Sequence, residues 1–186
     1  TIKMSPIITF ALFFIALVAS QTPTPHRPQP SENFHSTLGF EFHDRQNGTN
    51  VLAFGRGEVW VAQSAGMAKN LVEVDGHPQY DIETVIRYDL GKRFDVDHDR
   101  NCKVTPLSGA MPKEWAWVAD TQYNGTFKYH EREYDLWRLS KPGQYSIELA
   151  VEQDDPNRPR AINNYAKEID VFQYFNSWQA VTPHKA

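Results

Sequence analysis

The sequence predicts a mainly antiparallel β domain, and three observations carry that prediction. Apolar and polar residues alternate with a period of two over successive short runs, β-branched and aromatic side chains concentrate in those runs, and glycine sits beside Asn, Leu or Pro between them. Alternation over four to eight residues marks a half-buried strand, and glycine in such company marks a tight reversal. With 186 residues and 40% hydrophobic content, the chain can build one domain with a substantial core.

The domain is expected to begin well inside the chain. Residues 1–20 read as a translated leader and secretory signal: Lys3 precedes the apolar run from Ile7 to Ala19, and Val18 and Ser20 suit cleavage before Gln21. The run is shorter than the roughly 20 residues that a bilayer crossing needs. Residues 21–33, "QTPTPHRPQPSEN", hold four prolines and read as an extended, mobile segment. The single β-rich domain then spans 34–180, followed by a tail at 181–186.

Within the domain, Leu38, Phe40 and Phe42 alternate with Gly39, Glu41 and His43; Ile82, Thr84, Ile86 and Tyr88 alternate with Asp81, Glu83, Val85 and Arg87. Tyr145, Ile147, Leu149 and Val151 do the same, and Ile169, Val171, Gln173 and Phe175 close the series. Turns are expected at "RQNGTN" (45–50), "DLGK" (89–92), "YNGT" (123–126) and "KPGQ" (141–144). Gln63–Val74, Met111–Asp120 and Asn157–Glu168 each allow a short helix or a loop, with Pro112 suited to a first helical turn. Asn47 and Asn124 head N-x-Thr sequons on two of the expected turns, which makes both candidate glycosylation sites in a secreted chain.

Charge and motifs narrow the function. A net charge of −4 and the lack of clustered Lys and Arg argue against nucleic-acid partners. There is no G-x-S-x-G, H-E-x-x-H, C-x-x-C or Walker loop, so a non-enzymatic role without a cofactor is expected. "RFDVDHDRNCKV" (93–104) places Asp95, Asp97 and Asp99 at alternate positions. An EF-hand starting at Asp95 would need Gly and Glu where Arg100 and Pro106 stand, so that loop is excluded. A different hard-cation site on the three carboxylates is the remaining metal candidate. The simpler reading is a strand with Phe94 and Val96 inward and the aspartates in water. Cys102 is the only cysteine; it is expected to be a buried strand residue, with an intermolecular disulfide as the alternative.

Aromatic weight is the strongest positive signal. Five Trp, eleven Phe and eight Tyr exceed what a plain core needs, and on a curved sheet they suggest walls around an apolar cavity. Trp60, Trp115, Trp117, Trp137 and Phe175 are the expected lining.

The order "VIRYDLGKRFDVDHDRNCKVTPLSG", "PKEWAWVADTQYNGTFKYHEREYDLWRL" and "IDVFQYFNSW" resembles the eukaryotic secreted LolA-like and ependymin-like domains over roughly Gly57 to Trp178. That resemblance implies a highly curved antiparallel sheet, a half-open barrel wrapped around one or a few short helices, whose apolar hollow holds a fatty acyl or similar chain. Cys102 matches a family cysteine, but the partner cysteines of ependymins are missing. The expected function is therefore extracellular binding or transport of a hydrophobic ligand. A calcium-responsive extracellular matrix or adhesion glycoprotein and a lipocalin-type carrier are the alternatives; the latter lacks the usual G-x-W, since Trp60 follows Gly57 by three.

Overall fold

The computed structural model describes residues 24–45, 50–129, 131–143, 145–165 and 168–182. The signal-like segment and Asn47 therefore lie outside the described residues. The described residues form one open antiparallel sheet of eleven strands. They are β1 (Asn33–Asp44), β2 (Val51–Ala62), β3 (Met67–Val74), β4 (Ile82–Arg87), β5 (Lys92–Asp97), β6 (Cys102–Pro106), β7 (Gln122–Tyr129), β8 (Arg132–Lys141), β9 (Tyr145–Glu152), β10 (Pro159–Tyr165) and β11 (Ile169–Ala180). The expected fold class is thus observed. No helix among the described residues is long and apolar enough to cross a membrane.

Spatial order runs β6-β5-β4-β3-β2-β1-β11-β10-β9-β8-β7. From β1 in the middle, the chain meanders out to β6, crosses to the far edge at β7 and meanders back until β11 pairs with β1. The crossing, residues 107–121, is a strap over one face of the sheet, here called the inner face. It ends in a short 3-10 turn, Ala116–Asp120. Gln63 fastens its start by donating from Nε2 to the Met111 carbonyl at 2.8 Å.

Residues opposite one another in a ladder share a face, so the register fixes the inner set. On β1 it is Phe34, Ser36, Leu38, Phe40 and Phe42, facing Trp178, Phe175, Gln173 and Val171 on β11 and Val61, Val59, Gly57, Gly55 and Ala53 on β2. The main core gathers there: Phe34, Leu38, Val61, Trp115, Val118, Trp137, Leu149, Val151 and Phe175 are all buried. Gly55 and Gly57 are required by close approach. A Cβ at Gly57 would collide with the Leu71 carbonyl oxygen and press on the Phe40 ring at 3.0 Å, and one at Gly55 would lie 2.7 Å from the Glu73 carbonyl oxygen. Glycine in a strand interior commonly marks such an approach, and here it leaves room for the Phe40 ring.

Several local expectations are corrected. Gln63–Val74 is a one-turn 3-10 segment, Gln63–Ala65, closed by Gly66 at φ +66° and followed by β3, while 159–165 is β10 rather than a helix. In both, Asn at inner positions (Asn70, Asn164) interrupts the apolar alternation and hides the strand. "YNGT" is a bulge within β7, with Gly125 at φ +96°, and the reversal comes later, where Glu131 adopts φ +65°. The run 93–104 is a hairpin broken at His98–Asn101, where Asp97 accepts from the Asn101 backbone N–H at 2.8 Å. The proline-rich segment is docked. Pro28 and Pro30 are buried, Arg27 donates to the Thr121 carbonyl at 3.0 Å, and the Trp115 indole N–H donates to the Ser31 carbonyl at 3.0 Å.

Candidate functional site

The strap divides the inner face. Over β1 and β11 it packs Trp115 against Phe34, Phe175 and Trp178, with ring centroids 5.6, 6.2 and 5.7 Å apart. On the far flank Trp137 lies 5.6 Å from the Tyr123 ring, and Leu149 and Val151 are fully covered. This flank is filled. Toward β2–β5 the same face is covered only in part and leaves a hollow of about 260 Å³ bordered by Leu38, Val59, Val61, Ala68, Lys69, Ile86, Asn70, Thr84, Arg93, Gln173 and, from the strap, Glu114.

The hollow has an apolar base because Val61, Ala68 and Ile86 stand opposite one another across β2, β3 and β4 on the inner face, with Leu38 on the same face of β1, opposite Gly57. Its rim is polar. Thr84 is buried and donates from Oγ1 to Asp95 at 2.7 Å, while Arg93 donates from Nε to both oxygens of the same carboxylate at 2.8 and 2.9 Å. Burial pushes Asp95 upward, but the hydrogen bonds from Thr84 and Arg93, helped by the charges of Arg93 and Lys103, hold it below the usual carboxylate range. Glu114 keeps contact with solvent, yet the surrounding protein withdraws enough water to raise its carboxyl.

The residues expected to line a cavity are separated by this geometry. Trp115, Trp137 and Phe175 share the inner face and belong to the filled core, and Trp117 is packed against it. None of the four borders the hollow. Trp60 is on the opposite face, because it pairs with His35, out of phase with Phe34 and Ser36. There it borders a depression of about 410 Å³ with His35, Glu58, Lys69 and Val181. The residues that do border the hollow are short aliphatics and a polar rim; the signal for them was the alternation Leu38, Ile86 and Val59/Val61 rather than ring content.

The aspartates do not converge. Asp95 faces the inner side with Thr84, so Phe94 and Val96 lie on the outer face, the reverse of the expected parity. Asp97 is held by Asn101, and Asp99 lies 3.3 Å from His98 in the turn. No group of three metal-ligating side chains occurs among the described residues. Cys102 is exposed on the edge strand β6, not buried, since its partner Val96 lies on the outer face. Asn124 is exposed on the other edge strand and donates from Nδ2 to Glu148 at 2.9 Å.

The outer face carries larger depressions of about 430 and 320 Å³, but they are bordered by turn residues and charged side chains such as Arg45, Lys141, Glu73 and Arg100. It also holds a small buried cluster of Tyr134, Ala150 and Ala161, joined by Leu136 and Tyr174. Burial, reinforced by Glu41, pushes the Tyr174 hydroxyl up to about 12.

No family model matches the chain, and no curated protein matches it. Similar solved structures include an uncharacterized conserved protein from Thermus thermophilus, at 14% identity over 80% of each chain with a TM-score of 0.48. LprF from Mycobacterium bovis is 10% identical, over 81% of this chain and 89% of that one, with a TM-score of 0.43. A LolA superfamily protein from Nitrosomonas europaea is 8% identical, over 84% and 90%, with a TM-score of 0.36.

Proposed function

We propose that the chain is a secreted, non-enzymatic carrier that holds the aliphatic chain of a lipid or fatty acid in the inner-face hollow. The observation that supports this reading is the hollow itself: a contiguous aliphatic base from β1–β4, a rim of a few polar groups, and a strap fixed across its side. Apolar sites with a small number of convergent polar groups are the common form of small-molecule binding sites, with volumes of about 300–1,000 Å³. At about 260 Å³ the hollow suits a single chain rather than several. Glycosylation at Asn47 and Asn124 belongs to the same extracellular reading.

Displacement of a neutral fluorescent probe, N-phenyl-1-naphthylamine, from the delipidated protein tests it. Saturable probe binding that medium-chain amphiphiles reverse, and that is lost in Ala68→Trp, is the expected result. Binding unchanged by Ala68→Trp would place the ligand elsewhere.

A further inference from the structure

The cross-strand order of side chains in the hollow refines the ligand's chemistry, on the basis of the carrier reading above. Val61, Ala68 and Ile86 stand side by side on the inner face, and the next residue in that row, opposite Ile86, is Arg93 on β5. From Val61 to Arg93 the row crosses three strand spacings, about 14 Å. An alkyl chain laid along it therefore ends at a guanidinium.

That guanidinium is held in place on one side only. Its Nε donates to both oxygens of Asp95, at 2.8 and 2.9 Å, and Thr84 donates to the same carboxylate at 2.7 Å. Neither Nη group of Arg93 has a hydrogen-bond or ion-pair partner among the described residues. Asp95 thus orients the planar fork and leaves its two outer nitrogens to donate elsewhere. Lys103 stands on the same face, opposite Asp95 on β6, and it too has no ion-pair partner among the described residues. Two cations therefore share one carboxylate at this end of the row. The other charged groups on the rim do not offset them: Lys69 is paired with Glu83 at 2.8 Å, and Glu114 is exposed on the strap and makes no ion pair with Arg93 or Lys103.

From this arrangement we infer that the hollow takes an anionic amphiphile whose head offers two acceptor oxygens side by side, as a carboxylate or a phosphate monoester does. Its chain lies along Val61, Ala68 and Ile86, and its head accepts from both Nη groups of Arg93. Two parallel, charge-assisted hydrogen bonds are the contact for which a guanidinium fork is suited. An alkylammonium would bring a third cation to Arg93 and Lys103 and offers no acceptor, and a single hydroxyl cannot engage both nitrogens.

The test uses the delipidated full chain at low salt, with N-phenyl-1-naphthylamine displaced by decanoate, decyl phosphate, decanol and decylamine. At least one of the two oxyanions should displace the probe at a concentration about tenfold lower than decanol, the scale of one charge-assisted contact. The tighter of the two identifies the head, and decylamine should be weakest. Arg93→Gln should erase the oxyanion advantage while the neutral probe still binds. Because that change also strips Asp95 of a donor, Arg93→Lys is the second variant: it keeps the charge beside Asp95 without the fork, and should retain only part of the advantage. Glu114→Gln should leave the advantage in place. Decanol or decylamine binding as tightly as both oxyanions, or an advantage undiminished in Arg93→Gln or Arg93→Lys, overturns the inference and leaves the carrier reading standing. Failure of all four amphiphiles to displace the probe overturns both.

Discussion

The two flanks of the inner face are made from the same alternating strands, yet one is filled and the other is open. On the β8–β11 flank, inner positions carry Trp137, Leu149, Val151, Phe175 and Trp178, and the strap lays Trp115 and Val118 over them. On the β2–β5 flank, the corresponding positions carry Val59, Gly57, Ala68, Asn70, Thr84 and Ile86. Side-chain size alone separates them: large rings reach the strap and close the space, while short aliphatics leave a gap that the strap does not cover. Stability and ligand capacity are thereby placed on different sides of one sheet, and substitutions should separate the two.

The largest expected effect is on the filled flank. Trp137→Ala should lower stability by about 3–5 kcal/mol, the usual cost of removing a buried aromatic, measured by denaturant unfolding, without changing probe binding by the folded fraction. Trp137→Phe sharpens the point. The indole nitrogen is buried without a hydrogen-bond partner among the described residues, so Phe removes an unsatisfied donor and should recover most of that loss. Next comes the boundary between the flanks. Gly57→Ala forces a Cβ into the Leu71 carbonyl oxygen and should cost about 1–3 kcal/mol by overpacking, with a loss of probe binding because β2 and β3 must separate beside the hollow.

On the open flank the signs reverse. Ala68→Trp should abolish probe binding while changing stability by less than about 1 kcal/mol, since the ring enters space that is already empty. A drop as large as that of Trp137→Ala would show that the two flanks are not independent. The smallest effect is expected at Cys102→Ser. The side chain is exposed on an edge strand, so the change should fall within about 0.5 kcal/mol; non-reducing electrophoresis of the wild type then reads whether that exposure leads to a covalent dimer.

Sheet architecture was legible in the sequence wherever most inner positions were apolar and the alternation survived a single polar residue, as in β1, β4, β9 and β11. It was obscured where polar residues or close packing replaced that pattern. Asn70 and Asn164 break the alternation of β3 and β10, and Gly55 and Gly57 remove it from β2. The site was less legible than the fold. Ring content identified the wall of the core, because aromatics mark buried volume, but a hollow is defined by where side chains are short. Trp60 misled for a related reason: which of two faces a residue takes depends on strand register, and a residue's identity carries no register. The strap's Glu114 gave no pattern at all, since its place over β2–β5 follows from the crossing between the sheet's two edges.

That crossing also bears on the order in which the molecule can be made. The strands on each side of the centre are joined by short local reversals, so β1–β6 can pair as soon as they leave the ribosome. The central seam cannot. Thr37 and Ser177, which meet where β1 joins β11, are 140 residues apart along the chain. During synthesis β1 therefore presents an unpaired edge, with Phe34, Leu38 and Phe40 beside it, until the last strand emerges. Closing the seam carries the loop entropy of nearly the whole domain, and the nascent protein passes through an interval in which strand addition from another chain competes with its own C-terminal strand.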